Sequence, residues 1–102
     1  MEMILTGEPL GADRAHQLGL VNRLVEPGHA TEEALRLAEQ VTAAAPLAVW
    51  ESRKVVLAAA HEDDDTLKRM TNEAFATVMQ SEDTKEGLEA FIEKRQPNWK
   101  GR

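Results

Sequence analysis

Cysteine is absent from this 102-residue chain, which excludes disulfides and thiolate metal sites. Tyrosine is absent too, and aromatics amount to two tryptophans and two phenylalanines. No apolar run is long: stretches such as 55–60 are far too short to cross a bilayer. The N-terminus lacks a cationic region followed by a long apolar stretch and a cleavage site, so the sequence reads as soluble, unexported and cytoplasmic. Cations are outnumbered, twelve Lys and Arg against eighteen Asp and Glu, for a net charge of −6. A nucleic-acid backbone, which is bound by neutralising phosphates with cations, is therefore not the expected partner.

Catalytic raw material is equally sparse. The glycines stand alone, and no Gly-Gly or Gly-x-Gly run offers a pair of backbone N–H donors for an oxyanion. Ser52 and Ser81 have no evident base beside them in the sequence, so no nucleophile triad is supported. His16, His29 and His61 lie in three unrelated contexts. The acidic run Glu62-Asp63-Asp64-Asp65 beside His61 reads as a solvated loop and helix N-terminus favoured by the dipole rather than as a cation site. No catalytic residue and no metal ligand is expected.

What the chain has in quantity is helical periodicity. Gly7, Pro9, Gly11, Glu26-Pro27-Gly28, Pro46 and the Asp63–Asp65 run punctuate it. A short helix is predicted over 12–18, ended by Gly19, whose lack of a Cβ opens the left-handed region. Leu20 to Val25 is the one strand-like piece, an orphan with no second strand to pair with. Met1 to Leu5 looks like the apolar end of a helix.

Four helices of substance follow. From about Thr31 to Ala45, Ala34, Leu35, Ala38, Val41 and Ala45 share a face. Pro46 opens the next, with Leu47, Trp50, Lys54 and Leu57 along one side; Lys54 is expected to lay its stem on that face with the ammonium at the edge. The third, from about Asp65, turns Leu67, Met70, Ala74 and Val78 inward, with Phe75 a further candidate. The last is predicted to begin at Asp83, in a capping-box relation with Glu86, and to end at Gln96-Pro97. Fold class is thus mainly α: four substantial helices, a short helix and one short orphan strand.

The closing helix carries the chemistry. Phe91 and Lys94 are three apart and so neighbours on one helical face, with Arg95 one step round, a set suited to an anionic, partly flat ligand. The alternative is that Phe91 packs in the core with Leu88 and Ile92 while Lys94 is merely solvated. Trp50 is expected in core or interface packing, and Trp99, beyond Pro97, is expected to pin the tail to a surface.

The same stretch resembles the Asp-x-x-Glu-Gly-x-x-Ala-Phe-x-Glu-Lys-Arg-x-Pro ending of the crotonase family, the enoyl-CoA hydratases and isomerases: Asp83, Glu86-Gly87, Ala90-Phe91, Glu93-Lys94-Arg95 and Pro97 match it. Upstream, Leu5-Thr6-Gly7, then Ala12, Ala15 and Gly19-Leu20-Val21, is similar to the segments that follow the catalytic half of those enzymes, and Pro46 with Lys54 and Leu57 is similar to the family's next helix. The likeness spans essentially the whole chain, in order, yet corresponds to less than half of a full-length member.

The resemblance implies that residues 1–25 are the incomplete end of the family's spiral and 26–102 its C-terminal helical, trimerisation region. It implies addition of water to a 2-enoyl-CoA, or isomerisation, as the parent chemistry in fatty-acid and acyl-CoA metabolism, with a coenzyme A thioester as substrate and no covalently bound cofactor. It assigns Phe91 and Lys94 to the coenzyme A of a neighbouring subunit, the aromatic against adenine and the cation toward phosphate. Expected partners are acyl-CoA and other copies or full-length crotonase subunits, as trimers or dimers of trimers, with neither nucleic acid nor membrane. The oxyanion donors and catalytic glutamates of the family are not matched, so the chain alone is expected to be inactive. Two other readings remain open: a stand-alone helical oligomerisation module, and a non-catalytic acyl-CoA-binding module using Phe91, Lys94 and Arg95.

Overall fold

The computed structural model describes residues 1–102, which fall into two compact units, Met1–Arg36 and Leu37–Arg102. The first holds α1 (Glu2–Thr6), α2 (Ala12–Gln17) and the opening turns of α3 (Ala30–Thr42). Gly7, at φ 71°, ends α1, with its N–H on the Met3 carbonyl. Gly19 ends α2 as expected: at φ 74° it lets its own N–H reach the His16 carbonyl and that of Leu20 reach Ala15, the paired bonds of a Schellman turn.

The orphan strand expected at 20–25 is not there. That segment bends and then runs without regular structure, and the whole chain contains no strand. An isolated extended piece has no ladder partner, so its polar groups are met locally instead. His16 Nδ1 lies 3.0 Å from the Val21 carbonyl, and Arg23 reaches across to Glu33 at 2.5 Å. Glu33 is shared with Arg36 at 3.1 Å. The Arg23 hydrogen bond, with the nearby Arg36 charge, holds the Glu33 carboxyl below its ordinary range.

The second unit contains the rest of α3, then α4 (Pro46–Ala58), α5 (Asp64–Met79) and α6 (Glu82–Glu93). Pro46 sits in the first turn of α4, where its missing N–H costs nothing. Asp63 caps α5, its carboxylate accepting the Thr66 N–H at 2.8 Å, and that bond lowers its pKa. Helices α4 and α5 pack against one another. On α5 the inward set is as the periodicity predicts: Leu67, Met70, Ala74 and Val78 are partly covered, while Phe75 stays exposed.

On α4 the covered face is a different one. Ala48, Glu51, Val55 and Ala58 are covered, at spacings of three and four; of the stripe expected inward only Leu47 is partly covered, and Trp50, Lys54 and Leu57 stand outside. Apolar residues lie at nearly every angle around this helix, so its pattern does not specify which stripe turns in. The stripe expected inward on α3 is likewise open, with Leu35 and Val41 exposed.

Candidate functional site

The last helix and the tail after it form the most elaborately bonded part of the chain. Its cap is Ser81, not Asp83: the Ser81 Oγ accepts the Thr84 N–H at 3.1 Å and donates to the Val78 carbonyl at 2.7 Å. The expected Asp83 and Glu86 capping box therefore does not form. Both carboxylates turn to residues beyond the helix.

Asp83, only 3% exposed, accepts the backbone N–H groups of Lys100 at 2.6 Å and Gly101 at 2.9 Å. One turn on, Glu86 grips the Arg95 guanidinium through both oxygens, at 2.6 and 3.1 Å, and takes the Asn98 N–H at 2.6 Å. The Arg95 bonds, then the Asn98 N–H, draw the Glu86 carboxyl down to about 2, against a smaller opposing effect of desolvation. Arg95 is raised correspondingly by Glu86 and Glu93.

Trp99 pins the tail, as its position suggested. Its indole N–H donates to the Ala43 carbonyl at 2.8 Å, and its ring lies where a Cβ on Gly87 would meet it at 3.2 Å. The Arg102 carbonyl accepts the Glu82 N–H at 2.7 Å. Asp83, Glu86 and Gly87 thus share a helical stripe that meets the chain's own tail, and Ala90, next along it, is buried.

The flank and the far side of the helix are bare. Leu88 and Ile92 are exposed, and Phe91 is 82% exposed. Packing of Phe91 in a core with its two apolar neighbours is therefore not what this chain does. Helix α6 stops at Glu93, short of the expected Gln96-Pro97, because Lys94 enters the left-handed region at φ 54° and ψ 40°. It is the one residue with a side chain at positive φ; the other four are glycines. Such a backbone costs a residue bearing a Cβ roughly 1–2 kcal/mol. Two bonds define the turn: Arg95 N–H to the Ala90 carbonyl at 3.1 Å and Lys94 N–H to Phe91 at 3.4 Å.

Phe91 and Lys94 are thus close in the chain and both at the surface, at the exposed end of α6. Arg95, the third member of the expected set, is engaged with Glu86 and Glu93. Lys54 is paired with Glu51. No group of three or more acidic, His or Cys side chains is placed to hold a metal ion, and no helix is long and apolar enough to cross a membrane. A groove of about 380 Å³ lies between α4 and α5, lined by Ala48, Val55, Ala74, Phe75 and Val78 among others. The sequence pattern assigns Asp83 only a capping role and Gly87 none, whereas both serve the tail. Their signal was the pairing of a mid-helix Gly with a Trp twelve residues on, which is visible only once the tail is known to double back.

Helix α6 thus ends in an exposed aromatic, Phe91, followed by an exposed cation, Lys94, just past its last turn, while its stripe of Asp83 and Gly87 is held by the tail. The family model for enoyl-CoA hydratase/isomerase matches residues 1–102, and the chain belongs to that family. It is 36% identical over 105 residues to a carnitinyl-CoA dehydratase of Salmonella heidelberg, covering 99% of this chain and 40% of that protein. Among solved structures, an enoyl-CoA hydratase from Mycobacterium tuberculosis H37Rv superposes with a TM-score of 0.94 at 44% identity, over 100% of this chain and 40% of that one. One from Bacillus anthracis gives a TM-score of 0.92 at 34% identity, over 99% of this chain and 39% of its own. The chain therefore spans about two fifths of the length of the relatives it matches.

Proposed function

We propose that these residues form the C-terminal helical part of an enzyme that adds water to a 2-enoyl-CoA, and that they lend Phe91 and Lys94 to a coenzyme A held by a neighbouring subunit. Residues 1–25 close the family's spiral and 26–102 form its assembly region, in trimers or dimers of trimers, in the cytoplasm. The observation that carries this reading is the exposure of Phe91, 82%, at the end of a helix whose stripe of Asp83 and Gly87 is covered. An aromatic left bare while the tail dresses the residues behind it is suited to stacking on a purine. The apolar exposure of Leu88 and Ile92 on the same side supports burial against another subunit.

Base–aromatic stacking is worth about 1–3 kcal/mol, and an exposed cation adds about 1 kcal/mol or less. Phe91→Ala should thus weaken coenzyme A binding about 5- to 150-fold in the assembled protein. Photolabelling with an azido-adenine analogue of coenzyme A tests the contact directly. Label on the 91–94 segment is expected; label confined to other segments would refute it.

The 102 residues by themselves are proposed to be inactive. Their support for chemistry is thin: Glu86 is occupied by Arg95, Glu51 by Lys54 and Glu33 by Arg23, and no glycine pair offers adjacent N–H donors. Hydration of crotonyl-CoA by the pure chain, above that of a preparation lacking it, would overturn this.

A further inference from the structure

We infer that Glu86 and Arg95 are positioning residues for the ligand-facing pair, holding Lys94 in its left-handed conformation so that its ammonium and the Phe91 ring address one bound molecule. The inference rests on the proposed contact of Phe91 and Lys94 with coenzyme A, and it concerns how that contact is set.

The backbone at Lys94 is the starting observation. Gly7, Gly19, Gly28 and Gly101 occupy the other left-handed positions, as expected of a residue without a Cβ. A lysine in the same region persists only where its surroundings over-determine it. They do so here through the next residue. Arg95 donates from Nε to Glu93 at 2.6 Å, from both terminal nitrogens to Glu86, and from Nη1 to the Gln96 carbonyl at 3.3 Å. Its backbone N–H is meanwhile held by the Ala90 carbonyl.

A planar guanidinium bonded to both oxygens of a carboxylate has a fixed orientation. With its backbone N–H on the Ala90 carbonyl, Arg95 is held at both backbone and side chain, which sets the turn that Lys94 makes just before it. Glu86 is itself anchored, being on the covered stripe of α6 and bonded to the Asn98 N–H. The result is a division of labour between adjacent cations. Arg95 is consumed by two carboxylates, while Lys94 pairs with none. A cation without an acidic partner on its own chain, exposed next to the end of α6, is available to a bound anion.

The test compares coenzyme A with pantetheine, which lacks the nucleotide, by calorimetry on the assembled protein at low salt. Glu86→Gln keeps the shape of the side chain and removes the charge that grips Arg95. It should lower the ratio of coenzyme A to pantetheine affinity at least several-fold, approaching the effect of Lys94→Ala. A merely structural role would weaken both ligands alike and leave the ratio unchanged, and that result would overturn the inference. If Glu86→Gln does not fold, Arg95→Lys, which retains charge without the two-pronged grip, is read in the same way. Should Lys94→Ala and Phe91→Ala both leave the ratio unaltered, the contact itself is wrong. Should they lower it while Glu86→Gln and Arg95→Lys do not, the contact stands and the positioning role falls.

Discussion

Gly87→Ala sets two well-understood effects against each other in one methyl group. In the interior of a helix alanine is favoured over glycine by about 1 kcal/mol, so the substitution would ordinarily stabilise α6. Here the new Cβ would lie 3.2 Å from Trp99 Cη2 and 3.4 Å from Cζ3. Carbon atoms prefer about 3.5–4.0 Å, so the indole must yield by a few tenths of an ångström. It is poorly placed to do so, because its N–H is bonded to the Ala43 carbonyl and the backbone after it is held by Asp83. Overpacking of this kind costs about 1–3 kcal/mol, which outweighs or cancels the helical gain.

The net expectation for the single variant is destabilisation by up to about 2 kcal/mol. In a Trp99→Ala background the obstacle is gone, and Gly87→Ala should stabilise by about 1 kcal/mol. The two changes should thus couple by about 1–3 kcal/mol in a double-mutant cycle, measured by urea unfolding at unchanged m. Equal stabilisation in both backgrounds would show that the tail does not lie against Gly87.

Asp83→Asn should cost about 1–3 kcal/mol, since the amide can accept from only one of the two N–H groups that the carboxylate now serves and presents a donor to the other. Trypsin cleavage after Lys100 should accelerate with it, and an unchanged rate would count against the tail clasp. Glu86 has a pKa lowered in the folded chain to about 2 from an ordinary value of 4.5, so its contribution is complete above about pH 4.5 and is lost as pH falls toward 2. Acid titration of stability should accordingly be shallower in Glu86→Gln than in the parent over that interval; identical slopes would refute the assignment.

Much of this was legible in the residues. Gly19 as a left-handed helix end, Pro46 in a first turn and Leu67, Met70, Ala74 and Val78 as the inward stripe of α5 all follow from local stereochemistry and period. What failed did so where several patterns coexist. Helix α4 has apolar residues at nearly every angle and a full turn of polar ones, Glu51 to Lys54. Spacing alone could therefore not choose between the Trp50–Leu57 side and the Ala48–Val55 side that is covered. Near α6, Ser81 and Thr84 stand three apart just as Asp83 and Glu86 do, and only the first pair caps. The deciding factor is the supply of donors from Asn98, Lys100 and Gly101, residues that return from beyond the helix. Leu20 to Val25 has strand composition but no partner. Phe91 and Lys94 were singled out by resemblance; periodicity alone left their roles open.

The left-handed backbone at Lys94 also has a bearing on protein engineering. Any search for greater stability, whether by selection or by substitution of strained residues, will be drawn to Lys94→Gly, because glycine relieves the conformation without disturbing the turn. If the side chain serves a neighbour's ligand, the same change removes it. At this position a thermal-shift assay and a binding assay would rank the variants in opposite order, and a stabilised version of the chain is best sought by leaving Lys94 alone.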